Sequence, residues 1–410
     1  MITIQYLEDA PDLPARQTSA VIERLRAAAG RLPFSHLLIG WHLPAPMLEA
    51  CRREAERLGL RFLRWHPLLT GDSVFQPSPD WQVVGATGRK VPGYRGLPEF
   101  TFVCPNHPRV REEITGRLKH LAGEGLYHGF FLDRLRFPSP SHNPVEDLGC
   151  FCEHCRGAAS LTGLDLERVR KTVLNLGGTS WKRPSLVAGL LGGDMPDLDL
   201  ESAALLRSFL EFREQSITGF LAEVSAPLRA AGMEIGLDCF SPGLTRMVGQ
   251  NLGALSTRVG WIKVMSYAHT LGSAGIPYEL LGLFDYLYES TGLDPSGILR
   301  SLGRTLGLEL PEARRVMEKY GVSSSSLEAE LRGGVQASSV PILAGFELVQ
   351  IEGVAELNEV QILADLAAVK RAGAAGLAIS WDLWDIPLER LELVRQVFLG
   401  NGNPRQEVPK

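Results

Sequence analysis

The chain has 410 residues, 45% of them hydrophobic, and a formal net charge of −5. That suits a globular protein with a sizeable core, and the length allows one large domain or two to three ordinary ones. The charge balance, with no basic stripe or arm, argues against nucleic acid, and no window reaches the ~18 uninterrupted apolar residues of a membrane span. The N-terminus, MITIQYLEDAPDLPARQ, lacks a basic start, an apolar core and a small-residue cleavage site. A cytoplasmic location is therefore expected, in which the six cysteines are thiols or metal ligands, not disulfides.

In chain order, eight short apolar runs read as buried strands, each ending near a polar or aromatic residue. They are Ile2–Leu7, His36–His42, Arg61–His66, Gly129–Phe137, Met233–Phe240, Trp261–Tyr267, Pro341–Val349 and Gly376–Asp382. Amphipathic helical patterns precede most of them: Ser19–Leu32, Pro46–Leu58, Arg109–Gly123, Ser202–Ala231 and Glu356–Ala372. Strand–helix alternation points to a parallel sheet with helices outside. Eight such units predict an α/β fold closed as a (β/α)8 TIM barrel. The competing doubly wound sheet would bind a nucleotide, but no G-x-G-x-x-G or Walker sequence follows a strand.

A barrel of this kind usually needs ~250 residues, so insertions are expected within a single domain over 1–400. A long loop over 73–108 follows the third strand, and helical excursions over 156–200 and 280–339 follow the fourth and sixth. The serine run Ser323–Ser326 reads as a local linker, and 401–410 as a tail. No repeat of fixed period is present.

Chemistry in such a barrel gathers at the C-terminal strand ends, where the loops converge. Those ends carry Trp41 and His42, Trp65 and His66, Asp133, Asp238, Tyr267 and His269, Glu347, then Trp381, Asp382 and Trp384. Carboxylates, histidines and tryptophans around one opening suit a sugar, whose hydroxyls seek charged acceptors and whose C–H faces stack on rings. Glu347 is the hardest to dismiss as packing, since a carboxylate in an apolar strand is costly unless partnered or functional. Glycoside hydrolysis needs a nucleophile or base and a carboxylic acid. Asp133, flanked by Arg134 and Arg136, is the expected nucleophile or stabiliser. Glu347 or Asp238 is the expected acid/base. The histidines, Tyr267, Asp382 and the two arginines would orient hydroxyls, and Trp41, Trp65, Trp381 and Trp384 would offer stacking faces. A non-catalytic carbohydrate-binding barrel, and a hydrolase or lyase with a catalytic metal at His42, His66 and Asp133, are the alternatives.

Cys150, Cys152 and Cys155 stand at C-x-C-x-x-C spacing, close enough to hold one ion. A structural zinc wants four tetrahedral ligands. Cys104 in CPNHPRVR is the preferred fourth, with His154 and His142 as alternatives. Cys51 and Cys239 read as core thiols.

CPNHPRVR paired with CFCEHC resembles the zinc-binding pattern of family 42 β-galactosidases, which use a (β/α)8 barrel. The resemblance implies a structural zinc on Cys104, Cys150, Cys152 and Cys155. That family ends its fourth strand with Asn-Glu, whereas Asp133 stands here, so its acid/base assignment does not carry over. FLDRLRFP is similar to the FDYIRYP-like strand of barrel proteins of the "hypothetical glycosyl hydrolase" type, and FLEFREQSITGFL, GLDCFSPGL and VMSYAH have the same character. That likeness, over roughly 102–269 and the eighth strand, implies a carbohydrate active site with an aspartate on the fourth strand.

Overall fold

The computed structural model describes residues 1–7, 16–40, 43–71, 76–97 and 100–400, without the side chains of 95, 290 and 291. Seven of its strands are β1 (Ile2–Tyr6), β2 (His36–Ile39), β3 (Arg61–Pro67), β4 (Gly129–Asp133), β5 (Glu234–Cys239), β6 (Trp261–Val264) and β7 (Ile342–Glu347). A short hairpin, β8 (Gln350–Ile351) and β9 (Ala355–Glu356), precedes β10 (Gly376–Ser380). β10 pairs in parallel with both β7 and β1, closing an eight-stranded parallel ring. The chain is a TIM barrel, as expected. Its strands are apolar runs because their two faces meet the barrel interior and the helical layer, with no face left to water.

The period of two sorts those faces. Leu38, Leu63, Trp65, Phe131, Trp261, Leu343 and Ala378 form an inner cluster separate from the larger core beneath the helices. Trp261 stacks on Phe131 with ring centres 5.2 Å apart. Gly236 makes room for it: a Cβ there would lie 2.3 Å from the Trp261 ring. The floor of the barrel is therefore packed and water-free, which leaves the C-terminal end for chemistry.

Several strands stop earlier than their apolar runs. β4 ends at Asp133 because Arg134 adopts φ 54 and turns the chain. Leu135 and Phe137 stay buried, but under loops, which is why hydrophobicity alone overextends the strand. The segment after β3 has short 3-10 turns and isolated antiparallel bridges such as Thr70 with Phe102 and Gln82 with Val103. Helices Glu153–Ser160, Leu166–Gly178 and Arg183–Leu190 follow β4. Helices Ile276–Thr291, Pro295–Leu306 and Arg314–Tyr320 follow β6. The serine run is no linker: Ser323 caps helix Ser324–Ala337, its hydroxyl accepting from the Ser326 N–H.

Candidate active site

Above the apolar inner layer, the same period of two turns Gln5, Asp133, Asp238, Lys263, Glu347 and Ser380 toward the axis at the C-terminal mouth. Three expected carboxylates thus share one polar layer, joined by a lysine that the strand text WIKV does not advertise.

Asp133 is partly exposed. The Trp65 indole Nε1 donates to its Oδ2 at 3.1 Å, and the Arg134 backbone N–H donates to its Oδ1 at 2.5 Å. Trp65 is therefore buried in the barrel and orients the carboxylate instead of presenting a stacking face. The Arg134 guanidinium lies over the rings of Phe100 and Trp65, 4.2 and 5.5 Å away, and donates to Thr70 Oγ1. Arg136 is clamped between Phe102 and Phe240 at 4.4 and 4.6 Å. Burial lowers its pKa to about 10, so it remains cationic at neutral pH.

Asp238 and Lys263 form an ion pair of 2.7 Å, each side chain only 2% exposed. Burial pushes the Asp238 carboxyl up to about 7 against the opposing pull of Lys263, while Asp238 outweighs the burial of Lys263 and leaves the ammonium above its usual value. Gly345 accommodates the lysine, since a Cβ there would lie 2.8 Å from Lys263 Cε. Asp238 is thus held by a cation.

Glu347 has no such cation in contact. It is 3% exposed, and burial pushes its carboxyl up to about 8, opposed by His269. Its Oε1 accepts from the His269 backbone N–H at 2.6 Å, while Oε2 has no partner among the described residues. The His269 ring faces away from the opening: Nε2 lies 2.7 Å from Asp365 Oδ2 and Nδ1 2.8 Å from the Tyr320 carbonyl. Burial lowers the His269 pKa, but Asp365 and Glu347 outweigh it and the net shift is upward. His269 therefore positions Glu347 and is not placed to orient a sugar.

Tyr267 is buried, donating to Ser380 Oγ at 3.0 Å and packing edge-on against Trp381. Asp382 accepts from the Leu7 and Trp384 backbone N–H groups at 2.6 and 2.7 Å, so it ties the ends of β1 and β10 together. Trp384 is stacked by Arg16 and Arg24 at 4.5 and 5.3 Å. His66 pairs in register with Leu132, on the strand face opposite Trp65. Trp41 and His42 lie outside the described residues. Sequence reasoning missed Lys263, Gln5 and Asp365. The last was detectable as a lone acid on the apolar face of the helix Glu359–Ala372, where it is buried.

Away from the mouth, Cys104, Cys150, Cys152 and Cys155 bring four sulfur atoms within 4.8 Å of one another. Among the described residues this is the one group of three or more such donors that could hold a metal ion. His154 packs on His107 and His142 on Tyr278, so neither joins the group. The Val84 and Asn106 backbone N–H groups donate to Cys150 and Cys104 sulfurs, as the Asn106 side chain does to Cys155. Arg213, fully buried, donates to the Gly149 and Met247 carbonyls and stacks on Phe137. No ion pair joins it to a carboxylate among the described residues. A buried guanidinium without a carboxylate fits an anionic thiolate cluster alongside. Cys51 and Cys239 are buried core thiols, as expected.

No family model matches the chain, and no curated protein does. Solved structures do. The catalytic domain of β-amylase from Paenibacillus polymyxa aligns with a TM-score of 0.53 at 12% identity, over 98% of each chain. The β-galactosidase of the psychrophilic Marinomonas ef1 aligns with a TM-score of 0.56 at 12% identity, over 96% of this chain and 59% of its own. The α-L-fucosidase isoenzyme 2 of Paenibacillus thiaminolyticus aligns with a TM-score of 0.51 at 10% identity, over 97% of this chain and 48% of its own. At such identities the likeness is one of fold: the chain has a (β/α)8 barrel of the kind these glycoside hydrolases use.

Proposed function

We propose that the protein is a glycoside hydrolase, with Asp133 as nucleophile or charge stabiliser and Glu347 as general acid/base. The observation that carries this reading is the contrast between the two carboxyls in one polar layer. Glu347 is buried, raised to about 8 and without a hydrogen-bond partner at Oε2 among the described residues, which suits an acid that must hold a proton at neutral pH. Asp133 is reached by solvent and is an acceptor on both oxygens, oriented by Trp65 and the Arg134 backbone. Glu347 is preferred to Asp238 because the Lys263 ion pair occupies Asp238 and offsets part of the upward push that burial gives its carboxyl. The fold likeness to sugar hydrolases points the same way without naming a sugar.

The test is turnover on a panel of aryl glycosides and oligosaccharides. Asp133→Asn is expected to lose ~10³-fold or more in kcat, the scale on which mispositioned or missing acid, base and nucleophile groups act. Near-normal turnover by a folded Asp133→Asn protein removes the role. Glu347→Gln should lose less on glycosides with good leaving groups, which need no proton.

The cysteine cluster is proposed as a structural zinc site. Four thiolates suit zinc and leave no open position. Tetrahedral Zn–S bonds of ~2.3 Å separate sulfurs by about 3.8 Å. Two separations from the Cys104 sulfur, 3.4 Å to Cys155 and 3.5 Å to Cys152, stand close to that.

A further inference from the structure

Between the segments that follow β3, β4 and β6 lies a cleft of about 320 Å³ whose lining combines polar and aromatic side chains. That volume is at the small end of ligand sites, ~300–1,000 Å³. Of its residues the sequence singled out His142, as an alternative metal ligand, and Arg136, which is 5% exposed. One guanidinium N–H, on Nη1, donates to the Phe137 carbonyl. Its Nε and Nη2 donors have no partner among the described residues, and the group forms part of the cleft wall. A buried guanidinium with spare donors is costly unless something supplies acceptors.

The rest of the wall is matched to it. Glu279, 1% exposed, accepts from Ser139 and Ser141 hydroxyls at 2.5 Å each and from the Ala274 N–H at 2.9 Å. It is satisfied, and the two serines are held by it and by their neighbours, the Ser141 N–H donating to Ser139 Oγ and His142 Nδ1 lying 3.0 Å from Ser141 Oγ. Asp147 lines the same cleft, its carboxyl without a hydrogen-bond partner among the described residues and raised to about 6 by burial and by Glu146. Tyr94 packs edge-on against Phe100 and Tyr278, with ring centres 5.6 and 5.7 Å apart. Phe100 also carries the Arg134 guanidinium, which touches Trp65, the partner of Asp133. The cleft thus adjoins the proposed reaction centre.

We infer that this cleft binds a neutral sugar unit beyond the scissile bond, so that the substrate is an oligosaccharide and not a simple glycoside. The inference rests on the glycosidase reading for the word substrate. Spare donors on Arg136 and spare acceptors on the Asp147 carboxyl call for a ligand that both accepts and donates, as vicinal hydroxyls do. The tyrosines and Phe100 supply faces for its C–H groups. One guanidinium against two carboxyls leaves no surplus positive charge for a uronate.

The test is calorimetric titration of the Asp133→Asn protein with neutral tetrasaccharides (maltotetraose, cellotetraose, chitotetraose and β-1,4-galactotetraose), their monosaccharides, tetragalacturonate and a chitosan tetramer. At least one neutral tetrasaccharide is expected to bind ~10-fold or more tightly than its monosaccharide, a step of ~1.4 kcal/mol. Tyr278→Ala should erase that advantage in a protein that still folds, and Arg136→Met should act likewise if it folds. The inference is overturned if no neutral tetramer gains over its monosaccharide, if a charged tetramer binds best, or if Tyr278→Ala changes nothing. Turnover of aryl glycosides by the wild-type protein separates the two ideas. Turnover without the chain-length gain removes the subsite alone, whereas the gain without any turnover removes the glycosidase reading and keeps the sugar site.

Discussion

Glu347 and Asp238 are both buried carboxyls, and the Lys263 ammonium in contact with Asp238 separates their chemistry. Glu347 is raised to about 8 by burial, with His269 opposing. An acid with that value is protonated below pH 8 and loses its proton above it, so kcat/KM should fall as pH rises through about 8. His269→Gln removes the imidazole whose charge opposes burial at Glu347, and should move that alkaline limb to higher pH; a limb that stays put would sever His269 from Glu347. Asp238 instead depends on Lys263. Lys263→Met leaves a buried carboxyl without its cation and should cost ~3–5 kcal/mol in denaturant unfolding, while Lys263→Met with Asp238→Leu recovers much of it. Asp133 and Glu347 were legible because a carboxylate closing an apolar strand is unusual. Lys263 was not, because WIKV reads as an ordinary strand until its register with β5 is known. Trp65 and His269 were assigned by residue type, and their actual roles follow from side-chain direction.

Elements were legible where local chemistry marks them. Asn358 caps the helix Glu359–Ala372 with a capping box to Gln361, and Asp199 and Asp294 cap theirs. Strand ends were less so, since apolar residues continue into buried loops after β4 and β7. The opposite end of the barrel holds a network that no motif marks. Glu234 at the start of β5 accepts from Trp261 Nε1 at 2.8 Å, meets His36 Nε2 at 2.9 Å and binds Arg61 at 2.6 Å, joining four strands. Burial raises its pKa, but these partners outweigh it and bring the carboxyl down to about 2. A depressed carboxyl contributes stability above its unfolded value, ~4.3, and loses it as pH falls toward about 2. Glu234→Gln should therefore lower Tm at pH 7, with the gap closing between about pH 4 and pH 2. A gap independent of pH would show that packing, not charge, is what the glutamate supplies.

At the scale of the molecule, the loops after β3 and β4 meet at the cysteine cluster, with Gly85 bridging to Gly149 beside it. Structural zinc can contribute ~10 kcal/mol to ordering such segments. Cys104→Ser, or a chelator, should release one metal ion per chain, lower Tm and speed amide exchange over 76–104 and 148–156. A metal-free protein of unchanged Tm would dispose of the site. Among the described residues no helix is long and apolar enough to cross a membrane. The order of strands and helices was readable from the sequence because periods of 2 and 3.6 are local properties of side chains. So was the C-x-C-x-x-C group, whose spacing is local. Which carboxyl gained a cation, which tryptophan turned inward, and which loops enclose the Arg136 cleft depend on residues far apart in the chain. Only barrel closure, which brings β10 back to β1 and sets each strand's register, decides those neighbours.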